Sequence, residues 1–170
     1  MTEPITRRTL CLGVAATVAL LALPAEARPS AGPSKGRIKR MVMIEAMDLG
    51  FPVSLALAVA HAESGFDARA LSKAGARGVM QIMPATAWGE YRIRADELWD
   101  PRLNIRLGLH FLNRLIRRYG QVDIALSHYN GGSAVGRPGR ARVIPATRPY
   151  VNRVQRLAGG YRRQLLSGRV

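Results

Sequence analysis

The segment from Asp100 to Gly120 restricts the fold more than any other part of this chain. Leu103, Leu107, Phe111, Leu115 and Tyr119 recur at every fourth position, Leu112 and Ile116 widen the stripe, and Arg102, Arg106, Arg114, Arg117 and Arg118 lie off it. A strand turns its side chains over every second residue, so this spacing predicts an amphipathic helix that must bury one side. The ends agree. An acid followed by proline opens a helix, because the acid caps a free N–H and proline needs none, and Gly120 closes it.

The other apolar segments read the same way. Arg37 to Gly50 carries Ile38, Met41, Val42 and Glu45 to Met47 at helical spacing. Pro52 opens a second helix, Val53 to about Ser64, which places Leu55, Ala56, Val59, Ala60 and Glu63 on one face. Further helices are predicted from Pro84, over Val122 to Tyr129, and over about Pro149 to Leu157, where Tyr150, Val151, Val154 and Leu157 share a side. Gly65 to Gly78, Glu90 to Trp99 and Ser133 to Thr147 read as loops. There is no internal repeat and no run of strands, so an all-α, single compact helical domain is expected.

The first 27 residues look like an address. Arg7 and Arg8 precede the uncharged apolar run Leu10 to Leu23, Pro24 ends it, and Ala25-Glu26-Ala27 fits a small-x-small cleavage site. That run is short for a membrane span. The expectation is a signal peptide at 1–27, a flexible Pro/Gly/Ser leader at 28–36, a catalytic domain at 37–158 and a basic C-terminal tail at 159–170. The signal also permits an uncleaved anchor, and the arginine pair permits twin-arginine export. Export places the mature protein in the periplasm or cell envelope. The chain carries 26 basic and 11 acidic residues, a net +15, and Arg7, Arg8, Glu3 and Glu26 cancel within the signal. Such a surface seeks anionic partners or serves solubility, and export argues against nucleic acid as that partner. The single cysteine, Cys11, excludes an internal disulfide and a cysteine-based zinc site. No HExxH-type spacing suggests a metal, so no metal or cofactor is expected; His61 and His128 read as structural or cleft-lining.

One acid stands out. Glu63 shares its helix face with aliphatic residues and lies in the last turn, where the helix dipole disfavours negative charge. Desolvation there raises a carboxylate pKa and suits a general acid, unless the side chain turns out to water.

Three blocks around this acid carry a family resemblance. Glu63-Ser64-Gly65-Phe66, then Gly75 to Ala87 (GARGVMQIMPATA), then His128-Tyr129-Asn130-Gly131-Gly132 resemble the lytic transglycosylases with a soluble-lytic-transglycosylase-type catalytic domain. Asn104-Ile105 and Gly108, and Pro145, Thr147, Tyr150 and Val151, match as well. The resemblance covers about Ile38 to Leu157 and implies a lysozyme-like α fold. It also implies site residues. Glu63 matches the catalytic acid/base, and Ser72 a serine that contacts the substrate. Gln81 and Met83 match cleft residues touching the glycan, and Tyr129 a tyrosine close to the catalytic carboxyl. Asn130 completes the third block, bonding to backbone to fix the turn. Each has a plainer competitor: Ser72 as a turn cap, Met83 with Met80 and Ile82 as core, Tyr129 as a core aromatic.

The implied substrate is the peptidoglycan glycan strand. Ordinary glycoside hydrolysis uses two carboxylates, and only Glu63 is available within the recognised blocks. The family reaction fits one acid. It protonates the oxygen between N-acetylmuramic acid and N-acetylglucosamine, the substrate's N-acetyl group supports the cationic centre, and the muramyl 6-hydroxyl closes a 1,6-anhydro ring. A monomer is expected, and family analogy offers an envelope-spanning secretion or conjugation apparatus as partner. A hydrolytic muramidase of similar fold and a non-catalytic cationic wall-binding module are the alternatives.

Overall fold

The computed structural model describes residues 32–169. The expected signal peptide and residues 28–31 of the leader lie outside the described residues. Six helices follow in order: α1 (Lys35–Asp48), α2 (Val53–Ser64), α3 (Pro84–Tyr91), α4 (Pro101–Tyr119), α5 (Val122–Gly131) and α6 (Arg148–Leu166). Short 3-10 turns at Glu97–Trp99, Gly132–Val135 and Pro145–Thr147 connect them. Among the described residues there is no strand, only isolated antiparallel bridges from Arg77 to Leu71 and to Ile82. The architecture is all-α and lysozyme-like, as expected.

α4 starts and stops where its sequence signals stand. Asp100 accepts the Leu103 backbone N–H at 2.7 Å, Pro101 occupies the first turn, and Gly120 adopts φ 68° at the end. The buried surface is wider than the fourfold stripe, because Asn104, Ile105 and Leu109 are also fully buried. α4 packs against α5, α1 and the turn at Glu97–Trp99, so more than one side is covered.

α2 is apolar on every side, and Ala56 to Ala60 are all fully buried. It packs chiefly on α6 and also on α1, forming the inner layer of the domain. A helix without a polar face belongs inside, and this one delivers its C-terminal acid from the core.

The last helix corrects an expectation. The sequence predicts a stop near Leu157, before Gly159-Gly160, with a basic tail beyond. Instead α6 continues to Leu166. Two interior glycines cost roughly 1 kcal/mol each relative to alanine, but Tyr161, past both, is buried against His61 and Phe66 and fixes the extra turns. α1 likewise begins at Lys35, earlier than expected, with the Ser34 hydroxyl accepting the Arg37 N–H at 3.3 Å.

One ion cluster joins the layers. Glu45 on α1 is fully buried, yet each carboxylate oxygen meets an arginine of α4: Arg102 at 2.6 Å and Arg106 at 2.8 Å. Burial alone would raise its pKa; the two guanidinium bonds outweigh that and hold it below the usual carboxylate range.

Candidate active site

α2 ends at Ser64, and the chain turns at Gly65 into the long loop that reaches α3. Nothing in that loop makes regular secondary structure, so its backbone groups need other partners. Asn104 of α4 supplies two of them and ties in a third group from the turn at Glu97–Trp99. Its Oδ1 accepts the Met80 N–H at 2.8 Å, and its Nδ2 donates to the carbonyls of Arg77 at 2.8 Å and Leu98 at 3.1 Å. The approach is so close that a Cβ on Gly78 would lie 2.5 Å from Asn104 Nδ2, and Gly78 itself has φ 75°. One helical turn further on, a Cβ on Gly108 would lie 2.5 Å from Met80 Cβ and 3.0 Å from the Tyr129 hydroxyl. Glycine at these two positions lets the loop lie against the helix. From the other side, Ser64 Oγ donates to the Val79 carbonyl at 2.8 Å.

Between this loop and α6 lies an open cleft of about 490 Å3, lined among others by His61, Glu63, Ser72, Gln81 and Arg153. Glu63 is the only carboxylate among the described residues that line it. The Tyr150 hydroxyl donates to Glu63 Oε1 at 2.5 Å. Desolvation raises the Glu63 pKa, the Tyr150 bond and the positive field of Arg153 pull it back, and the balance is about 7. Glu63 is therefore a proton donor and acceptor of nearly equal readiness at neutral pH. Tyr150 stays protonated, since burial and the adjacent carboxylate both push its pKa well up.

The predicted residues divide by location. Ser72 lines the cleft and also closes a turn, with its Oγ accepting the Ala76 N–H at 3.0 Å. Its own hydroxyl proton remains available to a ligand. Gln81 lines the cleft in a left-handed backbone conformation (φ 48°). Its Nε2 donates to the carbonyls of Ala70 at 3.0 Å and Gly78 at 2.9 Å, which leaves Oε1 free to accept a hydrogen bond from a ligand. Met80 is fully buried and Ile82 nearly so, whereas Met83 is 38% exposed at the start of α3. The three residues are therefore not one core stripe.

Tyr129 is placed differently from Glu63's hydrogen-bonding partner. Its hydroxyl donates to the Met80 carbonyl at 2.8 Å, and its ring packs on Phe111. Burial first, then the charge of Glu63, raises its pKa far above the usual tyrosine value, so it stands near the acid without bonding to it. Asn130 is exposed at the end of α5; among the described residues its side chain bonds to no backbone group. His61 lines the cleft and pairs with the Tyr161 hydroxyl at 2.8 Å, while His128 pairs with Tyr119 away from it.

Tyr150 and Arg153 are the residues that sequence reasoning did not assign to the site. They sit three positions apart on α6, so both face the same way. A polar hydroxyl beside Val151 and Val154 on a buried helical face was the available signal. Among the described residues no three His, Cys, Asp or Glu side chains gather as a metal site would require.

The pattern of the Transglycosylase SLT domain matches residues 41–143. This chain belongs to that family. The transglycosylase SLT domain accounts for the loop, the acid and α5, while α6 lies beyond the matched residues. Among curated proteins, the soluble lytic murein transglycosylase of Escherichia coli (strain K12) is 35% identical over 99 residues, covering 54% of this chain and 15% of that protein. The transglycosylase of Enterobacteria phage PRD1 is 39% identical over 79 residues, covering 46% of this chain and 29% of that protein. Among solved structures, an inactive mutant of the lytic transglycosylase Slt from Pseudomonas aeruginosa superposes with TM-score 0.63 at 28% identity, covering 74% of this chain and 24% of that one. The 70-kDa soluble lytic transglycosylase of Escherichia coli superposes with TM-score 0.62 at 29% identity, over the same shares. The chain thus matches less than a third of the length of each of these relatives.

Proposed function

We propose that this protein is a peptidoglycan lytic transglycosylase that cleaves the β-1,4 bond between N-acetylmuramic acid and N-acetylglucosamine. Glu63 donates its proton to the glycosidic oxygen as the bond to the muramyl anomeric carbon breaks. The resulting carboxylate then removes the proton of the muramyl 6-hydroxyl, whose oxygen bonds to that carbon and closes the 1,6-anhydro ring. The proton inventory balances on one residue and no water is consumed. Ser72, Gln81, Met83, Tyr129 and Asn130 are proposed to contact or frame the glycan.

A single observation carries this reading: among the described residues the cleft is lined by one carboxyl group, desolvated so that its pKa lies at about 7. A residue that must first give and then take a proton works best near its own pKa. Relatives with lytic transglycosylase names support the same assignment. The protein is proposed to act in the periplasm or envelope, exported by residues 1–27, and to open the wall locally for an envelope-spanning secretion or conjugation apparatus.

Mass spectrometry of muropeptides tests the reaction. Anhydro ends, lighter than hydrolysed ends by one water, are the expected products, and reducing ends would assign the chain to the hydrolytic muramidases instead. Glu63→Gln is expected to abolish clearing of wall suspensions; clearing by that variant would remove Glu63 from the mechanism.

A further inference from the structure

The cleft has a second chemical character at the end occupied by His61. Arg153 lines it directly, beside His61 and Gly65. The Lys35 ammonium lies 4.0 Å from where a Cβ on Gly65 would stand. The Lys39 ammonium lies 5.3 Å from the centre of the Phe66 ring and 5.8 Å from that of Tyr161. Those two rings pack edge-on and both pack on His61, so the cation rests on an aromatic platform adjoining the cleft.

None of the three cations has a carboxylate partner among the described residues. The ion pairs among the described residues are made by other cations, Arg94, Arg102, Arg106 and Arg114, with Asp96, Glu45 and Glu90. Glu63 does not neutralise Arg153 while it holds its proton. The histidine between them adds no standing charge, because burial and then the fields of Arg153, Lys39 and Lys35 lower its pKa. Three like charges thus gather at and beside the His61 end of the cleft, and among the described residues none is held in a salt bridge. Lys35, Lys39, Arg153 and Tyr161 all lie outside the residues 41–143 matched by the family pattern. They come from the start of α1 and from α6.

We propose that Lys35, Lys39 and Arg153 form a carboxylate-binding subsite at the His61 end of the cleft, which takes an acidic group of a stem peptide carried by the glycan. The subsite rests on the peptidoglycan reading of the cleft and adds a preference within it. Glycan strands that keep acidic stems are held by the subsite as well as by the sugar contacts, whereas bare or amidated strands have the sugar contacts alone.

The test uses the full chain carrying Glu63→Gln, so that binding is read without turnover. Three soluble tetrasaccharides of alternating N-acetylglucosamine and N-acetylmuramic acid serve as probes: one with free-acid stem peptides, one with amidated stems, one without stems. Calorimetry is expected to give roughly fivefold tighter binding of the free-acid form than of either other form, the size of a few solvent-exposed charge contacts. The preference should shrink at higher salt. Adding Arg153→Gln and Lys35→Gln should reduce it to less than about twofold, while Arg153→Lys should keep most of it. A preference that survives the double substitution overturns the subsite, as does equal binding of all three probes, which leaves the glycan reading standing. Failure to bind any of the three overturns both.

Discussion

The Tyr150 hydroxyl donates to Glu63 Oε1 across 87 residues of sequence, joining the last turn of α2 to the first turn of α6. The bond opposes burial. Desolvation drives the Glu63 pKa up, and the tyrosine draws it back to about 7. If Glu63 must begin as an acid, kcat/KM should fall as pH rises through about 7. Tyr150→Phe removes a contact that favours the carboxylate, so the falling limb should move to higher pH. The same change should lower kcat by roughly tenfold or more, the size of one hydrogen bond to a charged group. A pH–rate profile of both proteins, with the limb unmoved, would remove Tyr150 from this role.

Glu63 should also be a burden on stability above its pKa. Its folded pKa of about 7 exceeds the ordinary 4.5, so the fold favours the protonated form. Below 4.5 both states are protonated and the acid costs nothing. Between 4.5 and 7 the unfolded chain ionises first, so stability falls as pH rises, and it levels off above 7. Glu63→Gln escapes this loss. Denaturant melts should find the variant equal to wild type near pH 4 and more stable at pH 8 by about 1–3 kcal/mol.

Much of this was legible in the sequence, and the reasons are local. Asp100-Pro101 and Gly120 are signals that a helix needs at its ends whatever surrounds it, and α4 obeys them. Glu63 was conspicuous because an acid among alanine, valine and leucine has few uses. Gly159-Gly160 misled, because helix propensity is weak against the packing of Tyr161 on His61 and Phe66. The Tyr150 contact could not be read, since no local rule brings residue 150 to residue 63. Resemblance puts Tyr129 close to the acid, and it does stand near Glu63, with its hydroxyl given to the Met80 carbonyl and not to the carboxyl.

Asn104 should matter to the loop more than any residue within it. Asn104→Ala leaves the Met80 N–H and the Arg77 and Leu98 carbonyls without their partner. A loss of about 2–4 kcal/mol is expected, and amide exchange should quicken at Met80 before the helices open. Gly108→Ala should cost about 1–3 kcal/mol by driving a methyl into Met80. Thermal melts with residue-resolved exchange check both.

The buried Glu45 cluster predicts acid sensitivity of the opposite sign. Its folded pKa is lowered, so its contribution is present above the ordinary 4.5 and is lost as pH falls through the lower folded value. Glu45→Gln should destabilise at neutral pH by about 1–3 kcal/mol, because Arg102 and Arg106 lose a charged acceptor but can still reach water. The gap to wild type should close in acid, as urea midpoints across pH would reveal.

The packing of α2 on α6 has a consequence in time. A freshly made or unfolded chain contains Glu63 as an ordinary carboxylate, ionised at neutral pH and unable to donate a proton. Burial of α2 raises its pKa, and the Tyr150 bond and Arg153 field that set the final value arrive only when the segment from residue 148 onward has docked, among the last of the described residues to be synthesised. The proton-transfer properties of Glu63 are therefore coupled to completion of folding, and the proposed activity would reach its full form only once α6 is in place.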